Sequence, residues 1–196
     1  MNKKVTIFCA SSPGIPDQYF EATRQLTELL VNNQYDIIYG GGATGLMGTV
    51  ADTTLKLGGH IKGIIPKFMI DVEWEHKGVK DMIHVEDMRH RKELLIKDTN
   101  AVVALPGGTG TLEELYEVVS LKKLGFFPHP IVLLNTDGYF DPLAQMASKM
   151  VTENFMQKKH LEIWQIVKKP AEVIDAIKNH NPWGPEVINF AAVPSK

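Results

Sequence analysis

The feature that most constrains this fold is an alternation of two patterns along the chain. Short apolar runs bounded by turn residues fall at residues 5–9, 35–39, 61–65, 83–85, 101–105 and 131–134, with a weaker one at 163–167. Runs of that length, rich in Val and Ile, read as buried strands. The stretches between them carry helical spacing; over residues 19–31, Phe20, Ala22, Leu26, Leu29 and Leu30 share one broad face. Strict alternation implies parallel strands joined by right-handed crossovers, with helices covering both faces of the sheet. The expected architecture is an α/β, Rossmann-like three-layer sandwich with a mostly parallel sheet of six or seven strands. A chain of 196 residues suffices for one such core. Residues 1–180 therefore read as a single Rossmann-like domain, and residues 181–196, with Pro182, Gly184, Pro185 and Pro194, as a tail over the surface or against a partner subunit.

Composition excludes several function classes. The net charge of −2 argues against an extended surface for a nucleic-acid polymer but permits a small basic pocket, so an anionic partner should be small. Cys9 is the one cysteine, which rules out an internal disulfide and a Cys-rich zinc site and fits a reducing, cytoplasmic setting. At the end of the first strand it reads as a small buried residue rather than a nucleophile. No run approaches the roughly 20 apolar residues of a membrane span. The seven histidines, at 60, 76, 84, 90, 129, 160 and 180, lack metal-ligand spacing, so no metal is expected.

Open parallel sheets bind ligands beyond the carboxyl ends of their strands, which directs attention to the loops there. After residues 35–39 comes Gly40-Gly41-Gly42-Ala43-Thr44-Gly45, a formal G-x-G-x-x-G, with Met47 just beyond. Three readings are open: a dinucleotide loop, glycines that only allow close packing, or the lining of a mononucleotide site by Gly41, Gly42 and Met47. The dinucleotide reading lacks its acidic partner, because residues 61–66 end without a carboxylate. After residues 101–105 comes Pro106-Gly107-Gly108-Thr109-Gly110-Thr111-Leu112-Glu113-Glu114. Its glycines can turn backbone N–H groups toward one point at a helix start, which suits a phosphate, and the Walker lysine is absent. Thr111 with Glu114 three residues on has the form of a capping box, and Asp141 before Pro142 that of another cap. Two glutamates at a helix start are partly ordinary dipole complementarity, so at least one need have no chemical role. The basic run Arg89-His90-Arg91-Lys92 reads equally as a solvated face or as part of a site.

Taken together, these residues resemble the LOG-type phosphoribohydrolases, often labelled lysine decarboxylase-like. The resemblance rests on P-G-G-x-G-T-x-x-E at 106–114, on Arg91-Lys92 fifteen residues before Pro106, and on the loop at 40–48. Further similarity lies in Cys9-Ala10-Ser11-Ser12, Pro66-Lys67 and Leu134-Asn135-Thr136-Asp137-Gly138-Tyr139, and it spans residues 4–160. It implies hydrolysis of the N-glycosidic bond of a purine nucleoside 5′-monophosphate, without a cofactor, by a homodimer with sites near the subunit interface. By motif position it implies Arg91 and Glu114 as the catalytic pair. Its substrate contacts would fall on Glu73, Arg91, Lys92, Gly107, Gly108, Thr109, Gly110, Thr111, Leu112, Glu113 and Ser120. Arg89 in place of a usual histidine, Thr109 in place of a frequent tyrosine and Ala10 in place of a glycine leave both catalytic groups intact and bear on base preference. The decarboxylase label has no support, since no Schiff-base lysine is signalled. A non-catalytic nucleotide sensor or carrier is the alternative from another class.

Overall fold

A computed structural model describes residues 2–70, 74–181 and 183–190. Seven strands form one sheet: β1 (Lys3–Phe8), β2 (Tyr35–Tyr39), β3 (Ile61–Pro66), β4 (Asp81–Val85), β5 (Ala101–Ala104), β6 (Ile131–Leu134) and β7 (Gln165–Val167). Their order is β4-β3-β2-β1-β5-β6-β7, and every neighbouring pair is parallel. The central strands are continuous apolar runs because both of their faces are covered; all four residues of β5 and of β6 are buried.

Among the described residues six α-helices cover the faces: α1 (Asp17–Asn32), α2 (Gly45–Lys56), α3 (Met88–Lys97), α4 (Thr109–Lys123), α5 (Asp141–Thr152) and α6 (Pro170–Lys178). Side chains alternate across a strand, so each strand feeds two cores. Val5 and Ile7 of β1 pack with Leu26 and Leu30 of α1, Val50 of α2 and Ile177 of α6. Phe8, on the other face, packs with Leu95 of α3, Leu115 and Val118 of α4 and Ala147 of α5. The expected three-layer sandwich is therefore present, with all seven strands parallel. Trp183 and Val187 are buried in the second of these two cores.

Two caps differ from expectation. Helix α4 starts at Thr109 with Gly108 as its N-cap and no side-chain cap, so Thr111 and Glu114 lie inside the helix rather than framing its start. Helix α5 starts at Asp141 itself with Phe140 as N-cap, and Asp141 instead accepts from Asn135 Nδ2 at 2.7 Å. In both cases a pattern of residue types matched a cap, but the preceding loop already supplied the turn.

The strand order reverses between β1 and β5. From β1 the chain steps outward through β2, β3 and β4, then crosses back to place β5 on the other side of β1. The loops leaving β1 and β5 diverge there, opening a crevice at the carboxyl edge of the sheet.

Candidate active site

The crevice holds a cavity of about 300 Å³, within the range of small-molecule sites. Its walls are Ile7, Cys9, Ala10, Ser11 and Ser12 from β1 and its loop, Gly40 and Met47 from the β2–α2 connection, Arg91 from α3, and Gly108, Thr109, Gly110, Thr111 and Glu114 from the start of α4. A smaller cavity of about 130 Å³ lies toward the amino ends of the strands, around Lys4, His60 and Lys97, and contains none of the expected site residues.

Arg91 and Glu114 form the floor. Arg91 Nη1 lies 2.9 Å from Glu114 Oε1, and the two residues are only 5% and 8% exposed. The guanidinium is pinned from behind by Nε donating to the Ile64 carbonyl at 3.1 Å and Nη2 donating to the Gly40 carbonyl at 3.2 Å. Its planar fork matches several acceptors at once, which a lysine could not do in one orientation. Gly40 is required by this arrangement, because a Cβ there would stand 2.4 Å from Arg91 Nη2.

The opposite wall is the open end of α4. The N–H groups of Gly108, Thr109, Gly110 and Thr111 make no hydrogen bond to the described chain, and no Cβ contact crowds Gly108 or Gly110. Uncapped first-turn donors and the positive end of the helix dipole together favour an anion. Helix α2 offers no such site: its Leu46 and Met47 N–H groups are taken by the Ala10 carbonyl, at 2.9 and 3.2 Å.

Adjacent residues on the same two helices do something else. Lys92 pairs with Glu113 and Glu117 on the outer side of the α3–α4 contact, and those carboxylates raise the lysine pKa. Successive helical residues point about 100° apart, so the Arg91–Glu114 bridge faces the cavity while the Lys92–Glu113 bridge faces away from it. Among the expected contacts, Arg91, Gly108, Thr109, Gly110, Thr111, Glu114 and Met47 are brought together at the cavity. Gly107 lies just behind, where a Cβ would meet Thr111 Oγ1 at 2.1 Å. Lys92, Leu112, Glu113 and Ser120 lie outside the cavity walls; Leu112 packs partly into the core and Ser120 donates to the Tyr116 carbonyl at 2.7 Å. Gly41 packs against Ile65 and Met82, and Gly42 bridges to Glu75, so neither lines the cavity. Glu73 falls outside the described residues.

Ser11, Ser12 and Gly40 line the cavity although the motifs that contain them do not name them as contacts. The strand order would have found the two serines, since they follow β1 at the reversal point. Cys9, the residue just after β1, is buried as expected of a small residue there, and it also touches the cavity.

A family model described as "Possible lysine decarboxylase" matches residues 47–177. A probable cytokinin riboside 5′-monophosphate phosphoribohydrolase of Oryza sativa subsp. japonica is 37% identical over 187 residues, covering 95% of this chain and 77% of that protein. A cytokinin riboside 5′-monophosphate phosphoribohydrolase of Arabidopsis thaliana is 36% identical over 186 residues, covering 95% and 82%. The chain belongs to this phosphoribohydrolase family. No lysine is among the residues lining the family member's cavity, so those walls offer no Schiff-base amine to match the decarboxylase wording.

Solved structures share the fold at lower sequence similarity. The molybdenum cofactor carrier protein of Chlamydomonas reinhardtii superposes with a TM-score of 0.69 at 16% identity, over 92% of this chain and 98% of that one. The molybdenum cofactor binding protein of Rippkaea orientalis gives a TM-score of 0.67 at 20% identity, over 91% and 96%. At such identity the likeness concerns the fold alone.

Proposed function

We propose that this chain hydrolyses the N-glycosidic bond of adenine or N6-substituted adenine nucleoside 5′-monophosphates, releasing the free base and ribose 5-phosphate. The observation that carries the reading is the buried Arg91–Glu114 pair facing a cavity whose other wall is an open helix N-terminus. Phosphate at the Gly108–Thr111 end acts as a handle that fixes the sugar over the floor, converting binding energy into orientation. As the base departs, positive charge develops on the ribose; a carboxylate beside it gains interaction energy in the transition state that it lacks with neutral ribose. Glu114 fills that role, and a water adding to the anomeric carbon completes the exchange while the departing base takes up a proton. Arg91 holds Glu114 in place and orients the nucleotide. The activity printed for the plant relatives supports this reading.

The enzyme is further proposed to act on AMP, in the manner of an AMP nucleosidase, and to work in the cytoplasm as a homodimer; a single buried thiol fits the reducing compartment. No helix of the described residues is long and apolar enough to cross a membrane. The test incubates the protein with AMP and with N6-isopentenyladenosine monophosphate under matched conditions and resolves free base by chromatography. Stoichiometric base and ribose 5-phosphate are expected from at least one of them. Binding of both nucleotides without release of base would replace the hydrolase with the carrier reading.

A further inference from the structure

The run Leu134-Asn135-Thr136-Asp137-Gly138-Tyr139 belongs to no wall of the cavity, yet its geometry converges on the phosphate end of the site. Asn135 organises the turn after β6. Its N–H donates to the Val167 carbonyl at 2.7 Å, its Oδ1 accepts from Phe140 N at 2.6 Å, and its Nδ2 donates to Asp141 at 2.7 Å. Asp137 and Gly138 then adopt positive φ, 55° and 71°, reversing the chain within two residues. A Cβ on Gly138 would lie 2.7 Å from Asp141 Oδ2. Asp137 is tied to the start of α1 by Gln18 Nε2 at 2.7 Å. The turn delivers Tyr139, whose ring stands edge-on to Tyr19 and Phe140 and whose hydroxyl donates to the Gly107 carbonyl at 2.6 Å.

We propose that Tyr139 is a positioning residue for the phosphate-binding loop, acting through the Gly107–Gly108 peptide. The carbonyl and N–H of a trans peptide point in opposite directions. Holding the Gly107 oxygen toward Tyr139 therefore turns the Gly108 N–H away from it, on the side where Gly108 lines the cavity. A peptide between two glycines is the least restrained kind and flips readily without an anchor. Tyr139 supplies that anchor from outside the site, so the donor is preset before an anion arrives and no ordering cost falls on binding. The inference rests on the phosphoribohydrolase reading for the identity of the substrate, while the anion itself can be tested apart from catalysis.

The experiment compares the full chain with Tyr139→Phe, which keeps the ring, and with Gly138→Ala, which displaces the turn. Binding of inorganic phosphate, ribose 5-phosphate and adenosine is followed by calorimetry, hydrolysis of AMP by base release, and folding by thermal melting. For Tyr139→Phe, affinity for ribose 5-phosphate is expected to fall about tenfold and KM for AMP to rise in step, the scale of one hydrogen bond. Its kcat should stay within about twofold, and adenosine, which carries no phosphate, should bind as before. Gly138→Ala should follow the same pattern if it melts as a folded protein. Unchanged ribose 5-phosphate affinity in Tyr139→Phe overturns the inference, as does an equal loss toward adenosine or a failure of the unmodified protein to bind any phosphate ligand. A weakened ribose 5-phosphate affinity in a chain that never cleaves AMP would keep Tyr139 in this role and sink the hydrolase reading instead.

Discussion

Replacing Glu114 by glutamine removes one charge from the floor of the cavity and almost no volume. Arg91 and Glu114 are both less than 10% exposed and meet at 2.9 Å. Removing one partner of such a pair typically costs about 3–5 kcal/mol, since the other charge stays buried. Glutamine still offers Arg91 an oxygen, and the Ile64 and Gly40 carbonyls remain, so the low end, roughly 3 kcal/mol, applies. For a domain of this size that corresponds to a melting temperature lower by about 6–12 °C. Activity should fall much further, by about 10²–10³-fold or more in kcat at temperatures where the variant is fully folded, because the carboxylate is asked to stabilise charge that exists only in the transition state. The assay pairs thermal melting with base release from AMP and calorimetric AMP binding. A double variant, Arg91→Met with Glu114→Leu, separates the two effects: it leaves no unpaired buried charge, so part of the lost stability should return, less what the freed Gly40 and Ile64 carbonyls cost, while activity stays lost. Turnover by Glu114→Gln within tenfold of the parent would refute the catalytic assignment and leave the pair as a structural bridge.

Gly40→Ala should act on the same floor from behind. Its Cβ would stand 2.4 Å from Arg91 Nη2 and 2.9 Å from Met47 Sδ, so a loss of about 1–3 kcal/mol in thermal melting and at least a tenfold drop in AMP cleavage are expected; Gly110→Ala, which meets nothing within 4 Å, should melt no lower than the parent. Lys122 is 3% exposed, donates to the His129 carbonyl at 2.7 Å, and has its pKa lowered by burial to about 8. The unfolded chain therefore holds this proton more tightly, so stability should rise as pH goes from about 8 to 10.5, by up to about 3 kcal/mol. Denaturant titrations across that range should show the slope in the parent and a flatter profile in Lys122→Met; equal slopes would contradict the assignment.

The fold was legible because a sheet covered on both faces writes its strands as continuous apolar runs. β2 and β6 coincide with the expected runs to the residue. β4 starts two residues earlier, at Asp81, because pairing with Lys62 of β3 carries the ladder beyond the apolar stretch. β7 starts two residues later, as Ile163 and Trp164 are buried in the preceding turn rather than in the ladder. Arg91 and Glu114 could be picked out as the reacting pair by motif, but that Lys92 and Glu113 stand outside the cavity walls could not. Both pairs have the same chemistry and adjacent numbers; which one faces the cavity depends on how α3 and α4 rotate against β5 and one another. Gly40 was legible as a glycine but not as the space for a guanidinium 51 residues away, because that contact exists only after the sheet has formed.

The same fold can serve a carrier or a hydrolase, so the choice between them has to come from the side chains in the crevice. For a protein that only holds an anion, the carboxylate of Glu114 is a liability: it lies in the same cavity as the open end of α4 and repels negative charge. A neutral side chain at that position would bind phosphate at least as well. Arg91 does not compensate as a free phosphate clamp, since its guanidinium is turned onto Ile64, Gly40 and Glu114. The pair makes sense when the ligand becomes positive part of the way through a reaction, as ribose does when the glycosidic bond opens. The charge on Glu114 sets the sign of one measurement. Glu114→Gln should bind AMP as tightly as the parent or more tightly while failing to cleave it, whereas a carrier that uses Glu114 to grip its ligand would bind more weakly.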